Sequence, residues 1–168
     1  MKRLAVLALT LPLALGACGL HPLYAGGGSG EVANALAGIE VGPIDGRGGW
    51  LVANALRDRF AGGGAPRYRL DVRLDDEIRG LGVRRDDSVA RERRSLRARY
   101  QLIDLSTSAV LLDATAGSDA GIDVVGSEYA TIAAENTALE RLSGIVADQI
   151  VGRVALYARN HRAQAAGR

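Results

Sequence analysis

Tyr68-Arg69-Leu70-Asp71-Val72-Arg73-Leu74-Asp75 alternates apolar or aromatic side chains with charged ones, without a break. Successive side chains of a strand point to opposite faces. This stretch is therefore a strand with one face in a core and a charged face outside it. The alternation returns downstream, where Leu96, Ala98, Tyr100 and Leu102 lie on one side and Arg97, Arg99 and Gln101 on the other. It predicts a strand over residues 90–105. Gly80-Leu81-Gly82 and the charged segment up to Asp87 read as the hairpin connection between the two. Ser106-Thr107-Ser108 turns the chain, and Val110-Leu111-Leu112 opens a further strand that continues through small residues to Ser118. Short connections make these strands antiparallel neighbours.

Working outward, Ile39, Val41 and Ile44, broken by Gly42 and Pro43, predict a short first strand that ends in a turn over residues 43–49. Val52, Leu56 and Phe60 recur at helical spacing, so a helix is expected over 50–61, stopped by Gly62-Gly63-Gly64. Trp50, at its start, is expected to plug the core. Near the other end, residues 121–126 read as a loop and Ser127 as an N-cap, with Glu128 favourable in the first turn. A long helix follows to about residue 158. Its stripe is Tyr129, Ile132, Leu139, Leu142, Val146, Ile150, Val154 and Tyr157. Residues 159–168 read as a polar tail that frays.

The element order is β-α-β-β-β-α. A strand-helix-strand start implies a crossover between parallel strands. The expected fold is α+β, with two helices packed on one face of a mixed four-stranded sheet, in a single domain over residues 37–158. The opposite face carries Arg69, Arg73, Arg97 and Arg99 with Asp71 and Asp75, and meets solvent or a partner.

The chain begins in another style. Lys2 and Arg3 precede an apolar run over 4–17 that closes on Leu15-Gly16-Ala17-Cys18. A basic start, a short apolar stretch and small residues at its end describe a secretory signal over 1–17. The run is shorter than the ~20 residues of a spanning helix and contains Pro12. The junction resembles the lipobox of bacterial lipoproteins. That resemblance implies a diacylglycerol on the Cys18 sulfur, cleavage before it and acylation of the new amino terminus. Each buried methylene contributes about 0.8 kcal/mol, so several chains anchor stably where one does not. Residues 18–36, with Gly26-Gly27-Gly28-Ser29-Gly30, then read as a flexible tether behind the lipidated cysteine.

Composition narrows the classes further. At 48% hydrophobic and 24% charged, the chain can bury a core. Removal of Lys2 and Arg3 from 21 basic residues leaves 19 against 19 acidic ones, without the basic excess of a bulk nucleic-acid binder. Cys18 is the only cysteine, so no disulfide forms within the chain. The two histidines, His21 and His161, lie in the tether and the tail, which leaves no good candidates for a Ser/His/Asp triad or a His-rich zinc site. Asp75-Asp76-Glu77 on a strand point to alternate faces and make a poor cation site. No catalytic residue, metal or cofactor is expected beyond the covalent lipid.

Arg84, Arg85, Arg91, Arg93, Arg94, Arg97 and Arg99 crowd one stretch against Asp86, Asp87 and Glu92. Guanidinium groups hold phosphate or carboxylate through paired hydrogen bonds, so a hairpin tip of this kind suits an anionic head group. The same residues also suit a solvated hairpin whose arginines pair with Asp71 and Asp75.

Cys18-Gly19-Leu20-His21-Pro22-Leu23-Tyr24 resembles the CGF-x-PLY start of LptE-type lipopolysaccharide-assembly lipoproteins, particularly those of alphaproteobacteria. Leu20 stands where that family often has an aromatic. Element order, length and the long carboxy-terminal helix agree with it. The resemblance implies a non-enzymatic outer-membrane lipoprotein, lipid-anchored on the periplasmic side. Such a protein assembles with and plugs an LptD-type β-barrel and aids lipopolysaccharide transport to the outer leaflet. Gly19, rather than Asp, after the cysteine agrees with that sorting. The resemblance also implies lipopolysaccharide contacts through basic residues near strand connections, here Arg84, Arg85, Arg91, Arg93 and Arg94. The rival expectation is an accessory lipoprotein of another envelope lipid transporter, such as an ABC-type system, whose tether would look much the same.

Overall fold

A computed structural model describes residues 36, 38–60, 65–83 and 89–166, with the backbone alone at 82–83, 89–90 and 162–166. The signal over 1–17, Cys18, most of the 18–36 tether, Gly62-Gly63-Gly64, Arg84 and Arg85 lie outside the described residues. The elements are β1 (Ile39–Val41), α1 (Gly46–Arg59), β2 (Tyr68–Val83), β3 (Val89–Asp104), β4 (Val110–Asp123) and α2 (Glu128–Ala166). They form one sheet in the order β1-β2-β3-β4, with β1 parallel to β2 and the other pairs antiparallel. This is the expected α+β order, with both helices on one face.

Alternation in the sequence becomes two faces in space. Leu70, Val72, Leu96, Ala98, Tyr100 and Leu102 are buried, as are Ala116, Ala120 and Ile122 of β4. Against them pack Val52, Leu56 and Phe60 of α1 and Leu139, Leu142, Val146, Ile150 and Val154 of α2. Ala138, Ala147 and Ala155 are buried too, and their small size lets α2 lie close to the sheet. Leu36 also joins the core, so the domain includes a residue assigned above to the tether. The two helices run side by side. Arg59 reaches Asp148 at 2.6 Å, and Arg47 lies 3.7 Å from Glu140.

Several boundaries differ from expectation. Helix α1 begins at Gly46, inside the segment expected to be a turn. A Cβ on Gly49 would stand 2.4 Å from the Ile44 carbonyl oxygen, and Gly48 faces Leu139. These glycines therefore serve close packing, not chain reversal. Gly80, Leu81 and Gly82 continue β2, and Gly121, Ile122 and Asp123 continue β4, because the hairpin is longer than its apolar alternation. The carboxy-terminal segment is helical to Ala166 instead of ending near residue 158. Ser127 does cap α2, its hydroxyl accepting from the Ala130 amide at 3.4 Å.

Trp50 does not plug the core: it is 63% exposed. Two residues from Val52, it lies about 200° around the helix from the buried stripe. Tyr129, 85% exposed, and Ile132 also lie outside the core. Both precede Asn136, where α2 meets the first turn of α1 through Arg47, so no second helix covers them.

Candidate functional site

The face of the sheet away from the helices is an ionic surface with few open charges. Register aligns odd-numbered residues in rows across it: Asp71, Gln101 and Asp113; Arg73, Arg99 and Thr115; Asp75, Arg97 and Gly117; Glu77, Ser95 and Asp119. Arg99 bonds Asp113 with nitrogens at 3.2 and 3.1 Å, and Gln101 donates to the same carboxylate at 2.8 Å. Arg97 turns away from Asp75 and forks onto Asp119 at 3.0 and 2.8 Å. It can cross the strand because residue 117 is glycine: a Cβ there would stand 2.5 Å from the Arg97 Cδ. Arg69 bonds Asp71 at 2.9 Å, and Arg79 bonds Glu77 at 2.7 Å.

These contacts shape the acidities. The Arg99 hydrogen bond, then that of Gln101, holds the Asp113 carboxyl below its ordinary range. The Ser95 hydroxyl, then Arg97, does the same for Asp119. Two kinds of concavity break the face. One of about 630 Å³ is bounded by Arg73, Asp75, Arg97, Arg99, Gly117 and Gln149. A smaller one of about 270 Å³ lies nearer the hairpin tip, with Arg79, Arg93 and Ser95 in its wall.

Of the arginines singled out from sequence, Arg91 and Arg93 share this face. Arg91 is exposed and bonds Asp123 at 2.9 Å. Arg93 is exposed, stands opposite Arg79, and makes no ion pair among the described residues. Arg94 is on the other face. Its side chain is only 11% exposed, it forks onto Asp76 at 2.8 and 2.6 Å, and it donates to the Glu135 carbonyl at 2.9 Å. It clamps β2 and β3 to α2 and is not open to a ligand, so the five arginines do not form one cluster. The anticipated pairing of arginines with Asp71 and Asp75 is also redirected. Asp71 pairs within its own strand, and the cross-strand partners are Asp113, Asp119 and Asp123 of β4. Alternation in β4 is hard to see in the sequence, because Ala114, Ala116, Ser118 and Ala120 on its inward side are small and two outward residues are glycines. Among the described residues no group of acidic, histidine or cysteine side chains is placed to hold a metal ion.

A family model described as LptE, lipopolysaccharide-assembly, matches residues 36–154. Among curated proteins none matches. Solved structures do. An inferred lipoprotein of Caulobacter crescentus aligns with a TM-score of 0.64 at 24% identity, over 79% of this chain and 98% of that one. Rare lipoprotein B of Shewanella oneidensis aligns at 0.54 and 14%, over 74% and 98%. A lipoprotein B of Nitrosomonas europaea aligns at 0.56 and 14%, over 72% and 82%. At these identities the likeness is one of fold.

Proposed function

The chain belongs to the LptE lipopolysaccharide-assembly family, and from that premise we propose that it is the non-enzymatic lipoprotein partner of an LptD-type outer-membrane β-barrel. It plugs that barrel from the periplasmic side and aids passage of lipopolysaccharide to the outer leaflet. The family match over residues 36–154 carries this reading. The surface chemistry supports it, since barrel lumens are polar and the open face meets them with an ionic lattice rather than an apolar patch. Cys18 is the proposed site of the diacylglycerol and amino-terminal acyl chain, holding the domain to the membrane.

For the lipopolysaccharide we propose Arg93 and Arg91, beside the small concavity near the hairpin tip, with Arg84 and Arg85 contributing. Arg94 is withdrawn from that set because Asp76 and Glu135 occupy it. Affinity purification from mild detergent is expected to bring down a barrel of much greater mass, and its absence would refute the assembly. Replacing Arg91 and Arg93 with Ala is expected to weaken lipopolysaccharide binding with an unchanged circular dichroism spectrum. Undiminished binding would remove these residues from the contact.

A further inference from the structure

Strand β2 has two neighbours for only three residues. On its far side β1 pairs with Tyr68, Arg69 and Leu70 and then stops, its last bond running from the Gly42 amide to the Leu70 carbonyl at 3.0 Å. Backbone groups of a strand point alternately to its two sides. Leu70 uses this side, so Leu74, Asp76 and Ile78 present their amides and carbonyls to it as well. None of the three has a backbone partner there among the described residues. The chain bends away at Pro43 and leaves a groove of about 650 Å³ along residues 71–74, walled by Pro43, Ile44 and Asp45. Arg73 and Asp75, both exposed at this edge, are without ion-pair partners among the described residues. Arg73 faces Arg99, which is committed to Asp113; Asp75 faces Arg97, which has turned to Asp119. On the helix side, Trp50 lies about 200° around α1 from Gly48. Gly48 faces Leu139 of α2, so the exposed indole projects from the flank of α1 opposite α2, toward the β1 and β2 side of the sheet.

We propose that this edge receives, antiparallel, a short extended segment of a partner protein that carries a basic residue and, two positions later, an acidic one. The basic residue stands opposite Asp75 and the acidic one opposite Arg73, at the positions where cross-strand side chains approach most closely. The residue between them opposes Leu74 and points to the helix side. An apolar side chain there covers half-buried Leu74 on the flank that carries Trp50. Backbone bonds form at Leu74, Asp76 and Ile78, the mode in which sheet edges bind extended peptides. The segment must end or turn outward opposite Arg73, because β1 and its continuation fill the edge below. Gly42 already lies beside Asp71, where a Cβ would stand 2.9 Å from the Asp71 Oδ1. A second copy of β2 breaks that limit: with its Asp75 opposite Arg73, its residues 78–83 would fall where β1 already pairs. The reversed order, acidic then basic, sets carboxylate on Asp75 and guanidinium on Arg73. Glu77 and Arg79 neutralise each other within β2, so selection rests on Arg73 and Asp75. Once occupied, the edge no longer exposes unpaired backbone groups.

The probes are two synthetic peptides of one composition, acetylated and amidated. Thr-Val-Thr-Thr-Arg-Val-Glu matches the edge, and Thr-Val-Thr-Thr-Glu-Val-Arg reverses its charges. Each is titrated calorimetrically into the full chain in mild detergent, with neither barrel nor lipopolysaccharide present. Hydrogen exchange and the emission of Trp50, the only tryptophan of the chain, report where the peptide sits. The matched peptide is expected to bind with Kd on the order of 100 µM. It should protect the Leu74 and Asp76 amides and move the Trp50 emission to the blue. The reversed peptide is expected to bind at least about tenfold more weakly. In a chain carrying both R73D and D75R, its fold confirmed by circular dichroism, the preference between the peptides is expected to invert. Four results would overturn the proposal: no binding of the matched peptide up to about 1 mM, equal affinities for the two peptides, no inversion in the double variant, or a bound peptide that protects other amides and leaves Trp50 unmoved. Leu74 and Asp76 amides that are protected before any peptide is added, and more so at higher protein concentration, would assign the edge to another copy of the chain and overturn it too.

Discussion

The two edges of the sheet are built on opposite plans. On β4, Gly117 directs its amide and carbonyl outward, and both are taken by one side chain of α2. The Gly117 amide donates to Gln149 Oε1 at 3.0 Å, and Gln149 Nε2 donates to the Gly117 carbonyl at 3.3 Å. A carboxamide offers the same donor and acceptor as a peptide group, so Gln149 stands in for one residue of a neighbouring strand. On β2 no side chain does this for Val72 or Leu74 among the described residues. Edges exposed in this way invite pairing, and proteins manage them by covering or charging them. Here α2 and Gln149 cover one edge, whereas charge alone guards the other through Asp75, Asp76 and Glu77. The first plan is built for permanence and the second can yield to a partner of matching charge.

If that contrast is energetic as well as geometric, matched truncations should separate the edges. Ile150, fully buried where α2 crosses the sheet, and Leu74, only half-buried beside the groove, are the natural pair. Ile150→Ala is expected to cost about 2–5 kcal/mol, since a buried cavity forms that its neighbours only partly fill. Leu74→Ala should cost less than half as much, because water and neighbours already share that site. Denaturant midpoints of the two variants decide it, and equal losses would mean that the β2 edge is as firmly built as the β4 edge.

How much of this is legible in the sequence follows from side-chain size. β2 and β3 declare their faces because their inward residues, Leu70, Val72, Leu96, Tyr100 and Leu102, contrast sharply with arginine and aspartate. β4 does not, because Ala114, Ala116 and Ala120 contrast weakly with Thr115, Gly117 and Gly121. That weakness hides both the length of β4 and its role as the source of Asp113, Asp119 and Asp123. The open face is therefore foreseeable as charged but not as neutralised. Arg94 misleads for a related reason. Its even position puts it on the core side, but an arginine among arginines reads as exposed until Asp76 and the Glu135 carbonyl are seen beside it. The Gly117–Gln149 contact joins residues 32 apart in sequence. Only a glycine inside a strand hints that something approaches closely there.

Charge also fastens the β2 edge from below. Arg94 ties the outer half of β2 to α2 beside the first turn of α1, its nitrogens 2.8 and 2.6 Å from Asp76, which Gly48 faces. Arg94→Ala leaves Asp76 without its partner and the Glu135 carbonyl without its donor. The expected cost is about 1–3 kcal/mol by denaturant unfolding. Amide exchange should accelerate at Glu77 and Arg79, whose amides face β3, more than at Ala116. A uniform acceleration across the sheet would mean that Arg94 serves the whole core and not this edge.

The covered edge offers a subtler comparison. Gln149→Leu keeps the bulk of the side chain and removes the donor and acceptor that Gly117 uses. Both backbone groups can then turn to water, so the loss should be only about 0.5–1.5 kcal/mol. The sharper readout is local: exchange at the Gly117 amide should speed up while that at Ala116, inside the β3–β4 ladder, stays unchanged. A Gly117 amide as protected as before would show that helix bulk, not the carboxamide, closes this edge.

The smallest effect concerns the charges that run from β3 to β4. Asp113 and Asp119 have lowered folded-state pKa values, caused first by Arg99 and by Ser95 respectively. A carboxylate whose folded value lies below its unfolded value of about 3.9 adds stability above that value. The contribution disappears as pH falls through the lowered one. Unfolding midpoints should therefore change little from pH 7 to about 5 on account of this pair and decline only below about pH 4. Ser95→Ala removes the leading cause at Asp119, so the carboxyl titration of Asp119 followed by NMR should move upward while Asp113 keeps its midpoint. Both groups moving together would mean that the β3–β4 charges act as one coupled network. In that case the covered edge would be held by long-range electrostatics as much as by α2, and the two edges would differ in degree rather than in plan.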